Sequence, residues 1–142
     1  MNKKPRKLCS ACLLGVRCRY DGKSKPNEKV LDLATKEDLV PICPEQLGGL
    51  STPRVPAEQK GNQVVTKEGG NVTVNFELGA RQALEIAKVF GCKEAILKQR
   101  SPSCGCGQIY DGTFSGNLIK GDGVTAKFLK KNGIAVKTEE DL

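Results

Sequence analysis

Residues 75–97, NFELGARQALEIAKVFGCKEAIL, decide the fold. Phe76, Ala80, Ala83, Leu84 and Ala87 recur at i, i+4, i+7, i+8 and i+11, one stripe of an amphipathic helix over 75–90. Gly91 ends the helix, and Ala95–Leu97 follow at once as a short buried strand. A helix feeding a strand across one tight turn is half of a βαβ unit. Upstream, KLCSAC at 7–12 reads as a first strand, Asn27 as the cap of a helix over 28–36, and Leu39–Ile42 as a second strand ending at Cys43. Residues 43–61 read as a long irregular loop, and Val64–Thr66 with Val72–Val74 as a small hairpin. Downstream, residues 105–123 hold six glycines, and Asp122 is placed to cap a last helix over 123–131 before a final strand at 134–136.

Strands and helices alternate, which predicts an α/β fold: a single three-layer Rossmann-like domain with a small, mainly parallel sheet. The 142 residues suffice for one domain, 1–142, with residues 1–7 as a basic tail. No apolar run reaches membrane length, and the basic N-terminus lacks a signal-peptide core, so a cytoplasmic protein with no membrane partner is expected. Asn71-Val72-Thr73 matches a glycosylation acceptor, which has no meaning without secretion.

Cysteine usage carries the chemistry. There are seven cysteines and no histidine. The lack of histidine excludes Ser-His and Cys-His nucleophile pairs and imidazole ligands. In a reducing compartment the thiols serve metal binding, redox chemistry or the core, and soft thiolates suit zinc or an iron–sulfur cluster. Ligands of parallel sheets bind beyond the carboxyl ends of the strands. Cys12 closes the first predicted strand, Cys43 the second, and Cys104 sits in the loop after the third, so three thiols are projected onto one edge.

Other motifs have plainer readings. Cys9-Ser10-Ala11-Cys12 is a CxxC without a following helix start, and Cys9 is expected in the core. Cys18 and Cys92 read as small hydrophobes, and Cys104-Gly105-Cys106 is too closely spaced for both thiols to join a zinc ribbon. Asp21-Gly22-Lys23-Ser24 lacks the glycine a P-loop requires at Arg17, and Gly121–Ala126 is a helix cap rather than a dinucleotide motif. Glu45, two residues after Cys43, is either an acid or base at the ligand-binding edge or a solvated loop carboxylate. Ser101 is by composition a turn residue. The net charge of +7 favours anionic partners, whereas aromatic content of 4% leaves few stacking platforms for RNA. Arg17, Arg19 and Arg54 lie in loops suited to an anionic group or to solvation.

SACLLG (10–15), CRYDG (18–22), CPEQLGGLSTPRVPAE (43–58), AILKQRSPSCG (95–105), IYDGTFSG (109–116) and GVTA (123–126) together resemble the bacterial thiouracil desulfurase family over residues 7–139. The resemblance implies a [4Fe-4S] cluster held by Cys12, Cys43 and Cys104, with one iron open. It implies Glu45 as catalytic acid/base and Ser101 as a helper hydroxyl. In the family pattern the position of Cys9 is usually aliphatic and those of Cys18 and Cys106 vary. The implied reaction is non-redox: a thiolated pyrimidine binds sulfur-first to the open iron, water activated by Glu45 attacks the ring carbon, and sulfide leaves. Some relatives carry a second domain directed to tRNA, which is not expected in this chain. A small-molecule thiolated base, nucleoside or nucleotide is therefore the expected substrate, and nucleic acid is not. Two other classes remain open. A structural-zinc RNA- or nucleotide-binding module would take a fourth ligand from Cys9, Cys18 or Cys106. A thiol-redox protein would form a Cys9–Cys12 disulfide.

Overall fold

The computed structural model describes residues 6–142. Four strands form the central sheet: β1 (Arg6–Ser10), β2 (Asp38–Ile42), β5 (Glu94–Leu97) and β8 (Ala135–Thr138), in the order β2-β1-β5-β8. Every pairing is parallel, with Leu8 opposite Val40 on one side and Ala95 on the other. Pro41 is tolerated in β2 because that strand lies at the edge, where a missing N–H costs no ladder bond.

The central position of β1 explains why Leu8, Cys9 and Ser10 are buried in succession, without alternation. Leu8 faces α3 (Thr73–Phe90) and α4 (Val124–Lys131), joining Ile42, Ala95 and Leu97 against Ala83, Leu84, Ala87, Ala126 and Leu129. Cys9 and Ile96 face the opposite layer, packing on the 3-10 turn Ala11–Leu14 and on Val30 of α1 (Glu28–Ala34). The arrangement is the expected three-layer α/β domain with a parallel sheet. Asn27 caps α1 as expected, its side chain accepting from Val30 N at 3.1 Å. Gly91 ends α3 with φ +68°, a left-handed conformation that glycine enters without steric cost.

Several expectations are corrected. β1 stops at Ser10, so Cys12 lies on the 3-10 turn and not in a strand. The segment after Cys43 is not all irregular: Pro44–Leu47 is a short helix, α2, with proline in its first turn, where no backbone N–H is needed. The hairpin pairs β3 (Ala57–Lys60) with β4 (Gln63–Thr66), while residues 73–74 open α3 and only a single bridge joins Val65 to Asn71. Sequence periodicity missed β3 because AEQK has no apolar alternation. A second hairpin, β6 (Gln108–Tyr110) with β7 (Leu118–Lys120), occupies the glycine-rich stretch. Gly123, not Asp122, is the N-cap of α4; the Asp122 carboxylate instead accepts from Gly107 N at 2.9 Å and Lys130 Nζ at 3.1 Å. Of the expected basic tail, residues 1–5 lie outside the described residues, and Arg6 and Lys7 belong to β1.

α2 is pinned by close backbone contact. A Cβ on Gly79 of α3 would overlap the Pro44 carbonyl, and one on Gly48 would overlap the Asn75 carbonyl. Two glycines therefore allow α2 to rest directly on α3, which sets where Glu45 stands.

Candidate active site

The carboxyl ends of β1, β2 and β5 open into a cavity of about 590 Å³. Its lining includes Cys12, Cys43, Cys104, Glu45 and Ser101, so the residues singled out from the sequence meet in one place. Each is delivered by a different piece of local structure.

Cys12 is held by its turn, whose carbonyl accepts from Gly15 N and, at 2.9 Å, from Lys25 N. Cys43 is the extended residue that caps α2. Cys104 lies in a loop organised by Ser101, whose Oγ accepts from the backbone N–H of both Ser103 and Cys104 at 3.1 Å. That loop is tight. A Cβ on Gly105 would come within 2.9 Å of the Ser101 carbonyl oxygen, and one on Gly123 would overlap Ser103. Gln59 of β3 ties it down by donating to the carbonyls of Pro102 and Asp122, both at 2.9 Å.

All three thiols are free of disulfides. Burial pushes the Cys104 thiol up to about 12, against opposing hydrogen bonds from Ser10 and Ser103. Hydrogen bonding with Cys18 and then burial raise Cys43 as well. Buried, crowded thiols stay protonated until a cation compensates them, which is the electrostatic condition of a thiolate metal site. The donor set is soft and contains no imidazole, so it fits an iron–sulfur cluster. Among the described residues no three Cys, Asp or Glu donors close onto a single-ion site. A four-iron cluster makes no such demand, since its thiolates bind separate irons.

Cys18 is more than the small hydrophobe its plainer reading made it. It is buried in the core as expected, yet it also lines the cavity, and the Cys43 thiol donates to its carbonyl at 3.7 Å. Cys9 is fully buried on β1 and Cys92 is buried in the cluster against α3, both in the core as expected. Cys106 binds away from the cavity, with its N–H on Gln99 Oε1 at 2.9 Å. Of the three candidates for a fourth zinc ligand, only Cys18 is at the site.

Glu45 has one dominant partner. Arg54 donates Nε to Glu45 Oε2 at 3.0 Å and Nη2 to the same oxygen. The same guanidinium also donates to the carbonyls of Cys18 and Ser51 and to Thr52 Oγ1. Arg54 is thus a fixture of the site rather than an exposed cation; its side chain is 9% exposed. The other lining cations are also matched: Arg19 by Asp21, Lys98 by Glu139 and Arg100 by Glu140, with Lys67 alone lacking a carboxylate within 4.0 Å among the described residues. Arg17 is exposed, donating to the Gly22 carbonyl at 2.9 Å.

These observations define a small α/β protein with a cysteine-lined cavity at the carboxyl edge of a parallel sheet. Comparison with known proteins makes the class specific. The family model for 2-thiouracil desulfurase matches residues 8–141. The uncharacterized protein YbbK of Bacillus subtilis (strain 168) is 45% identical over 145 residues, spanning 95% of this chain and 96% of its own. A solved structure described as the [4Fe-4S]-dependent thiouracil desulfidase TudS superposes with a TM-score of 0.92 at 44% identity, covering 98% of this chain and 93% of that one. The chain belongs to the 2-thiouracil desulfurase family.

Proposed function

We propose that the protein removes sulfur from a thiolated pyrimidine by [4Fe-4S]-dependent, non-redox hydrolysis: C=S and water become C=O and hydrogen sulfide, with no electrons exchanged. The observation carrying this reading is that Cys12, Cys43, Cys104 and Glu45 line one cavity, although they come from three separate stretches of chain. Cys12, Cys43 and Cys104 would hold the cluster. When bound, it supplies a Lewis-acidic iron with an open position, soft enough to favour a thiocarbonyl sulfur.

The chain's own groups handle the proton. Arg54 occupies Oε2 of Glu45, and no hydrogen bond within the described residues uses Oε1. That leaves Oε1 to take a proton from water as it adds to the ring carbon. Ser101 Oγ already accepts two backbone N–H groups, so its own hydrogen is left to donate into the cavity as sulfur departs. The substrate is best read as an uncharged base or nucleoside. Four of the five cations lining the site already have carboxylate partners, leaving little to hold a phosphate. No helix among the described residues is long and apolar enough to cross a membrane.

The test is iron and sulfide content of protein purified without oxygen, followed by turnover of 2-thiouracil and 4-thiouracil. About four irons per chain with release of sulfide and uracil is the expected result. A cluster-loaded protein that leaves both compounds intact would overturn the reading.

A further inference from the structure

The cavity lining also includes Tyr110 at the end of β6, Phe114 and Gly116 from the turn between β6 and β7, and Glu58 of β3. Phe114 has φ +58°, a left-handed conformation that bulky residues rarely adopt. Only one other non-glycine residue among the described positions, Arg100, has a positive φ, and it too lines the cavity. The conformation of Phe114 is enforced from outside the turn. One oxygen of Glu58, Oε1, accepts from Gly112 N at 3.0 Å and from Phe114 N at 3.1 Å. Gly112 lets the turn lie close on β3: with φ +94°, a Cβ there would stand 2.7 Å from the Gln59 carbonyl oxygen. Within the turn, Asp111 Oδ1 accepts from Thr113 N at 3.0 Å and closes the loop on itself. An aromatic residue is thus held in a strained backbone conformation beside a cavity, by a carboxylate 56 positions away. A glycine would relieve this strain, and strained conformations of this kind cluster at active sites and ligand clamps.

We propose that Phe114 positions the substrate: its ring stacks on the flat face of the thiolated heterocycle, and Glu58 holds the ring in place. This rests on the desulfurase reading for the identity of the ligand, but not for the existence of an aromatic wall. Stacking on a flat base tolerates changes of ring substituent, because every base offers a π-face. Orientation of the sulfur would then come from the cysteine side of the cavity.

The experiment compares cluster-loaded wild type, Phe114→Leu, Phe114→Ala, Phe114→Gly and Glu58→Ala. Binding of 2-thiouracil and uracil is read by calorimetry, turnover of 2-thiouracil by kcat and KM, and folding by thermal denaturation. Phe114→Ala and Phe114→Gly should weaken binding of both ligands about tenfold and raise KM by a similar factor, with iron content unchanged and kcat little affected. Phe114→Leu should fall between. Phe114→Gly should also melt higher than Phe114→Ala, because it relieves the left-handed strain while losing the same ring. Glu58→Ala should raise KM like Phe114→Ala and melt lower than wild type. Wild-type affinity and KM in Phe114→Ala and Phe114→Gly would overturn the proposal and leave the desulfurase reading standing. Weakened binding in both, with no turnover even by the loaded wild type, would support the aromatic wall and overturn the desulfurase reading. Failure of the wild type to bind either ligand would overturn both.

Discussion

Arg54 grips a single oxygen of Glu45: Nε at 3.0 Å and Nη2 both donate to Oε2, and none of its donors reaches Oε1. The guanidinium also bridges to the Cys18 carbonyl at 3.0 Å, so one side chain links the segment after Cys12, the helix carrying Glu45 and the loop 51–56. A planar fork with fixed donor directions can do this, whereas an ammonium cannot. Arg54→Lys should therefore keep the cluster and the charge but lose the fixed carboxylate. We expect kcat to fall by about 100-fold at unchanged iron content, within the range that a misplaced acid–base group costs. Near-normal kcat in Arg54→Lys would show that charge alone suffices.

Glu45→Gln separates chemistry from assembly. The amide preserves shape and can still meet Arg54 through its oxygen, so iron content and melting temperature should stay close to wild type. Turnover should fall by about 100-fold or more, because an amide does not take the proton from water. Normal turnover by a cluster-loaded Glu45→Gln protein would remove Glu45 from the mechanism.

Six of the seven thiols should sort by iron content. Alanine at Cys12, Cys43 or Cys104 should abolish the visible iron–sulfur absorption, because each would withdraw one of the three proposed ligands. Alanine at Cys18, Cys92 or Cys106 should leave it. Loss of iron in Cys18→Ala, with retention in Cys12→Ala, would exchange the roles of these two neighbours.

Gly79→Ala sets local propensity against tertiary contact. Alanine favours a helix interior over glycine by about 1 kcal/mol, so the isolated helix would gain. In the folded protein the added methyl meets the Pro44 carbonyl. The expected outcome is a lower melting temperature and reduced iron content, since displacing α2 moves Cys43 and Glu45 together. A variant more stable than wild type would mean that the crossing is slack.

Alkaline stability follows from a buried thiol away from the site. Burial raises Cys92 above its ordinary value of 9.0, with Arg6 opposing. The unfolded chain then releases this proton first, so the contribution of Cys92 is complete below pH 9 and is lost as pH rises from there. Cys92→Ala should melt below wild type at pH 7.5, and the gap should narrow from pH 9 upward. A gap independent of pH would show that the thiol does not titrate differently on unfolding.

The sequence by itself determined the parallel α/β plan, the long helix ending at Gly91, and the meeting of Cys12, Cys43 and Cys104 at one edge. Those features are written in local periodicities and in chain order, and a parallel sheet sends successive carboxyl ends the same way. The resemblance supplied the proposed roles of Glu45 and Ser101, which spacing alone left open. Only the tertiary structure decided the rest. Nothing in residue order pairs Glu45 with Arg54, and α2 became visible only where Gly48 and Gly79 let its backbone touch α3. Cys18 looked like a small hydrophobe because burial and nearness to the cavity leave the same mark on a sequence. The β6–β7 hairpin was hidden by its glycines, and Phe114 gained significance from a carboxylate 56 residues earlier. Such relations depend on where distant segments cross, and residue order carries no period that reports a crossing.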